Sequence, residues 1–272
     1  MKNQLPLILE PEHLEQNLSD EQCIIVDLSK HENYLKYHIP GARFLDYAKI
    51  VRAEKPVMGL VPDETALSQL LTDIGATPDS QIVAYDDEGG GKAARLLWTL
   101  DLLGHQHCSL LNGGIFSWAN EGFKLTQETG AVAAGHYEAR LTGQGVATKQ
   151  YILDRLGQAD TVLLDCRTAE EYAGIKKFAE RGGHIPGAVN IDWVKTMDQN
   201  RNLRLKPDAE LRALFESAGV SSDKEIIVYC QTHHRSSHTY IVLKYLGYPK
   251  IKGYPGAWSD WGNDPDTPVE QG

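Results

Sequence analysis

The chain has 272 residues, 42% of them hydrophobic, and a formal net charge of −10 from 37 acidic against 27 basic side chains. That length suits one large domain or two of ordinary size, and the composition is that of a soluble globular protein. The acidic balance argues against nucleic acid as the main partner, and no apolar run approaches the ~20 residues of a membrane span.

Residues 1–20 hold no sustained apolar core followed by a small-residue cleavage site, so a cytoplasmic location is expected. In chain order, the apolar run 24–28 predicts a first buried strand and is followed by His38-Ile39-Pro40-Gly41-Ala42. Residues 82–85 predict a second strand, ending at the acidic loop Asp86-Asp87-Glu88-Gly89-Gly90-Gly91-Lys92. That glycine run is a poor phosphate loop, because acids follow the strand and no Ser or Thr follows Lys92. Residues 94–103 predict a helix closed by Gly104, and 113–118 form a Gly-to-Trp segment. Residues 127–148, rich in Gly, Ala and Thr, read as a linker.

The same order of signals then returns. Residues 162–165 are a strand, 184–188 spell HIPGA again, 226–229 are a strand, 238–246 a helix closed by Gly247, and 256–261 a Gly-to-Trp segment. Gly104 and Gly113 to Trp118 match Gly247 and Gly256 to Trp261 at a common offset of 143 residues. The expectation is two copies of one domain, 1–126 and 149–272, joined by 127–148. Alternating strands and helices predict an α/β fold in which each copy is a parallel sheet with helices on both faces.

The copies differ at one turn. Where the first has Asp86, the second has Cys230-Gln231-Thr232-His233-His234-Arg235. A thiol between a buried strand and a helix meets unpaired backbone N–H groups and the positive end of the helix dipole. Both favour thiolate, and such sites bring a cysteine from about 8.5 down to between ~3.5 and ~7.5. Cys230 is therefore the candidate nucleophile. Gln231 and Thr232 are expected to line its cradle, and His233 and His234 to donate hydrogen bonds or titrate. Arg235 is expected to supply a fixed cation. The plainer alternative for the histidines is a pair of exposed turn residues. A zinc site is disfavoured because adjacent side chains diverge and no fourth ligand is suggested. Cys23, Cys108 and Cys166 sit in or beside apolar runs and read as core residues, which fits a reduced compartment. His38 and His184 read as structural, since the copy without a thiol keeps its histidine. Trp193 and Trp258 read as core or cleft-wall aromatics.

HIPGA and Tyr254-Pro255-Gly256-Ala257-Trp258-Ser259-Asp260-Trp261 together resemble the two signatures of the tandem-domain rhodanese sulfurtransferases, with Asp260 where that family more often has Glu. The CQTHHR loop is similar to that of a bacterial subgroup. The resemblance implies a noncatalytic N-terminal copy, a catalytic C-terminal copy, a persulfide on Cys230 and no cofactor or metal. The loop matches neither the thiosulfate-specific nor the mercaptopyruvate-specific branch. Thiosulfate, small and doubly anionic, suits Arg235 better than a keto acid, and the expected acceptor is a thiophile, whether cyanide, a small thiol or a thioredoxin-like protein. Glu171 falls where many relatives carry a substrate-binding arginine, which weakens the alternative of 3-mercaptopyruvate. Lys176, Lys177 and Arg181 either replace that cation or form a solvated loop.

Asp165 and Arg167 are expected to form a supporting salt bridge beneath the loop. A cysteine-dependent phosphatase or arsenate reductase is a more remote alternative. Those enzymes place five residues between Cys and Arg, whereas four separate Cys230 from Arg235, a tighter loop that suits a sulfur atom. Retention of the cysteine loop argues against a noncatalytic binding module. A tandem repeat can satisfy its own pairing, so a monomer is the simplest expectation.

Overall fold

A computed structural model describes residues 4–20, 22–130, 132 and 134–272, so Ala131 and Ala133 of the expected linker lie outside the described residues. The chain forms two compact units. The first comprises Met1–Ile50, Pro62–Thr142 and Met197–Leu205, the second Val51–Val61, Gly143–Thr196 and Lys206–Gly272.

In the first unit five parallel strands lie in the order Ile8–Leu9, Cys108–Leu111, Gln81–Tyr85, Cys23–Asp27 and Arg43–Phe44. In the second the order of four parallel strands is Ile251–Gly253, Glu225–Tyr229, Thr161–Asp165 and Val189–Asn190. Cys23–Asp27 and Gln81–Tyr85 in the first sheet, and Thr161–Asp165 and Glu225–Tyr229 in the second, are buried at every residue but the first, as expected of parallel strands covered by helices. Each is one residue longer at its start than its apolar run.

The helix Gly91–Leu102 ends as the sequence suggests, with Gly104 at φ +74°. The helix Arg235–Tyr245 begins three residues earlier than periodicity indicates. Its first turn contains Ser236 and Ser237, whose polarity imitates a loop. Both are buried, and the Ser237 hydroxyl is satisfied locally by donating to the His233 carbonyl at 2.5 Å.

The repeat persists at atomic detail. The His38 ring stacks on Tyr34 at 4.0 Å and the His184 ring on Tyr172 at 3.6 Å. Nδ1 of each histidine lies 2.7 and 2.9 Å from the carbonyl oxygen of its own tyrosine. The N–H of Ile39 donates to the Tyr85 hydroxyl at 3.1 Å, and that of Ile185 to Tyr229 at 3.2 Å. HIPGA is thus a turn fastened to a core tyrosine. Corresponding cores surround Trp118 and Trp261, both fully buried. Burying each such side chain stabilises the fold by about 2–3 kcal/mol. Cys108 and Cys166 are core residues, whereas Cys23 begins its strand and is only half-buried.

Two hairpins are absent from the sequence reading. Arg52–Glu54 pairs with Val57–Leu60 in the second unit, and Met197–Asp198 with Arg204–Leu205 in the first. Short strands with mixed polarity have no clear period, so partners elsewhere in the chain decide them. Met58 donates its N–H to the Ser259 hydroxyl at 2.9 Å, Leu205 its N–H to the Asn112 side chain at 2.7 Å, and Arg204 pairs with Glu10 and Glu121.

Candidate functional site

The strand Glu225–Tyr229 delivers Cys230 to the carboxyl end of its sheet, beside the start of the helix Arg235–Tyr245. Cys230 is 1% exposed. Burial on its own pushes the thiol up. The Arg235 charge, the Ser236 hydroxyl and the N–H groups of Ser236 and Thr232 together outweigh it, so the thiol lies below its ordinary value. The loop is built around this role. His233 is buried at φ +53°, a left-handed conformation unusual for a residue other than glycine, and the Ser236 hydroxyl holds its Nδ1 at 2.7 Å. Behind the loop, the Trp258 N–H donates to the Cys230 carbonyl at 3.0 Å and the Ser259 N–H to the Gln231 carbonyl at 3.0 Å. In front, Gly59 of the hairpin lies so close that a Cβ there would collide with the Thr232 carbonyl oxygen.

The first unit shows what this turn is shaped to hold. Asp86 Oδ1 accepts from the N–H groups of Glu88 and Gly90 at 3.0 and 2.8 Å, and Oδ2 from that of Ala93 at 2.9 Å. Gly89 at φ +93° stands where the second loop has His233, and the Ile115 N–H reaches the Asp86 carbonyl as that of Trp258 reaches Cys230. The cradle therefore receives an anionic group in one copy and a thiol in the other. Asp86, fully buried and close to Glu88, is raised to about 6 despite its three N–H donors.

Arg235 lies beside the thiol, but it is not a free cation. Its guanidinium grips Glu171 with two bonds, Nη1 to Oε2 at 2.6 Å and Nη2 to Oε1 at 2.8 Å. Glu171 is 2% exposed and forms a capping box with Thr168. Burial tends to raise the Glu171 carboxyl, and Arg235 reverses this and holds it below its usual range. In the sequence Glu171 stands out only as a departure from the family pattern. An acid at a position expected to be basic was the available signal for an ion pair.

Asp165 and Arg167 do form a buried salt bridge, Nη2 to Oδ2 at 2.6 Å. Arg167 also donates to the Gly183 carbonyl at 2.6 Å and lies 4.5 Å from the centre of the Trp258 ring. Support for the loop thus passes through Trp258. Gln231 is half-buried, and its side-chain amide donates to the Phe178 carbonyl at 3.0 Å. His234 occupies the helix cap position with its ring 6.2 Å from that of Trp193, which also meets His238 at 5.3 Å. Arg181 is a fastener, donating to the carbonyls of Trp261 and Thr267 at 2.8 and 2.6 Å, and Lys176 and Lys177 are exposed. Ser236, Glu171 and Gly59 complete the site beyond the residues expected. Among the described residues no cluster of three His, Cys, Asp or Glu is arranged to hold a metal ion, and no helix is long and apolar enough to cross a membrane.

Comparison with known proteins follows the two halves. The family model described as a rhodanese-like domain matches residues 10–121 and again 148–264. A thiosulfate sulfurtransferase of Azotobacter vinelandii is 46% identical over 266 residues, covering 98% of this chain and 97% of that protein. The sulfur carrier protein TtuD of Thermus thermophilus is 33% identical, covering 98% and 97%. Among solved structures, the anaerobic ergothioneine biosynthesis enzyme of Chlorobium limicola superposes with a TM-score of 0.87 at 21% identity, over 98% of this chain and 69% of that one. At that identity the likeness is one of fold.

Proposed function

We propose that this chain, which belongs to the rhodanese-like family in both of its halves, is a thiosulfate sulfurtransferase that works through a persulfide on Cys230. In this reading 149–272 is the catalytic copy, 1–126 is noncatalytic and 127–148 joins them. The Cys230 thiolate attacks the outer sulfur of thiosulfate, the sulfur–sulfur bond of the donor breaks and sulfite leaves with its electron pair. A thiophile, cyanide or a thiolate, then takes the outer sulfur and returns the Cys230 thiolate. No cofactor enters this scheme.

One observation carries the proposal. A thiol occupies the N–H cradle in which the other copy holds a carboxylate, and Arg235 with Ser236 draws it below the ordinary range against the effect of burial. Because Glu171 occupies the guanidinium of Arg235, donor binding rests on the loop N–H groups, Gln231, Thr232, His233 and His234, while the Arg235 charge still tunes the thiol. Glu171 is also poorly suited to a substrate that brings its own carboxylate, which favours thiosulfate over 3-mercaptopyruvate. Four residues between Cys230 and Arg235 make the loop tight for a phosphoryl group. Supplied with thiosulfate and cyanide, the protein should form thiocyanate with parallel double-reciprocal plots, the signature of a substituted enzyme. Intersecting plots, or turnover of a phosphate ester in place of thiosulfate, would reject this reading.

A further inference from the structure

The second copy carries an insertion that the first lacks, and it borders the cysteine loop. Tyr34 and His38, which stack, are four positions apart, whereas their counterparts Tyr172 and His184 are twelve apart. The stacks are alike, so the extra residues are not needed to make the turn. They bring Ile175 to the surface at 79% exposure and Phe178 at 56%. Lys176 and Lys177 stand beside them, also exposed, in a chain whose net charge is −10.

The insertion is fastened. Arg181 ties it to the carbonyls of Trp261 and Thr267, the backbones of Gly174 and Gly183 lie in contact, and Gln231 donates to the Phe178 carbonyl. The last bond joins it to the residue after Cys230. Ser259 in turn donates its N–H to the Gln231 carbonyl and bonds the backbone of Met58, a residue 38% exposed. Exposed apolar residues are thus tied to the loop through Gln231 and through Ser259, with two lysines next to the first group. Scattered exposed apolar residues are ordinary, but a fixed group of them with an aromatic beside a reactive group marks a contact surface. A small dianion such as thiosulfate has no use for an isoleucine and a phenylalanine.

We propose that Ile175, Phe178 and Met58, rimmed by Lys176 and Lys177, form the docking surface for a protein acceptor that presents a cysteine on an apolar face bordered by carboxylates. This rests on the sulfurtransferase reading and adds to it the class of partner. The lysines fit acidic groups that the rest of this acidic chain would repel. On docking, the acceptor thiolate attacks the outer sulfur of the Cys230 persulfide, the sulfur–sulfur bond breaks, and the Cys230 thiolate leaves. If the acceptor carries a second thiol, that thiol closes a disulfide and expels the sulfur as hydrosulfide, so that the dithiol is oxidised and the sulfane sulfur reduced.

The test uses the full chain, thiosulfate, and three acceptors: cyanide, glutathione and reduced thioredoxin, an acidic protein dithiol. The double variant Ile175→Ser, Phe178→Ser, and separately Lys176→Glu with Lys177→Glu, should raise the thioredoxin KM at least fivefold. Rates with cyanide and glutathione should stay within twofold. Equal losses with all three acceptors, no loss with any, or wild-type protein that serves cyanide but not thioredoxin would overturn the docking proposal. Binding to phosphatidylglycerol vesicles that the double variant loses, with thioredoxin transfer intact, would overturn it in favour of a membrane contact. Wild-type protein that forms no thiocyanate from cyanide would instead refute the sulfurtransferase reading beneath it.

Discussion

At the end of the strand Gln81–Tyr85 a carboxylate sits in a ring of backbone N–H groups, and at the end of Glu225–Tyr229 a thiol sits in the corresponding ring. The two strands beside each loop, the HIPGA turn, the tyrosine–histidine stack and the contact behind the loop agree between the copies. What differs within the loop itself is confined. The second copy has Arg235 clamped by Glu171, and His233 in place of a glycine. In the first copy Lys92 bonds instead to Asp87, an acid of its own loop, at 3.0 Å. The comparison teaches that the cradle belongs to the scaffold, whereas reactivity depends on one atom and the ion pair beside it.

The largest effect comes from making the second loop like the first. Cys230→Asp should fold, with a melting temperature close to that of wild type, and lose thiocyanate formation by at least roughly a thousandfold. Retained turnover would show that Cys230 is not the nucleophile.

Next, Arg235→Gln removes the charge that offsets burial. Iodoacetamide reacts with thiolate, so the pH midpoint of Cys230 alkylation should be higher in the variant than in wild type. Turnover at neutral pH should fall roughly a hundredfold. An unchanged midpoint would show that the N–H cradle acts without the arginine.

The two loops should also slope oppositely with pH. Asp86 is raised to about 6 in the folded chain from about 3.9 unfolded, so its contribution to stability is fully present below the unfolded value and is lost as pH rises through about 6. Cys230 is lowered, so its contribution is present above the unfolded thiol value and is lost as pH falls through the folded one. Urea unfolding of Asp86→Asn should therefore lose up to about 3 kcal/mol of the decline that wild type shows between pH 4 and 6. Parallel pH curves for the two proteins would contradict this.

The smallest effect concerns the turn behind each loop. Ala257 at φ +50° stands where the first copy has Gly114 at φ +57°, whose Cβ would lie 2.5 Å from the Asp86 carbonyl oxygen. Ala257→Gly should leave turnover unchanged and raise stability by about 0.5–1 kcal/mol in thermal unfolding, because strain relief exceeds the entropic cost of glycine. A loss of stability would mean that the alanine methyl is needed in the core.

The repeat, the four inner strands and the cysteine turn were legible because period, glycine punctuation and HIPGA are local signals. So was the bond between Asp165 and Arg167, two positions apart. The clamp of Glu171 on Arg235 spans 64 positions, and the hairpin at 52–60 reaches the loop from the other half of the sequence. Neither has a local signature. The near-complete burial of Cys230 was hidden too, since the polar letters of its loop suggest solvent while His233, Ser236 and Ser237 all point inward. The left-handed backbone at His233 was indirectly visible, because Gly89 occupies that position in the copy.

The most direct measurement is peptide-resolved mass spectrometry of the full chain after thiosulfate, with cyanide added to half of the sample. One added sulfur atom is expected on the peptide holding Cys230, none on Cys23, Cys108 or Cys166, and cyanide should remove it. An unmodified Cys230, or sulfur on another cysteine that cyanide discharges at the rate of turnover, would contradict this.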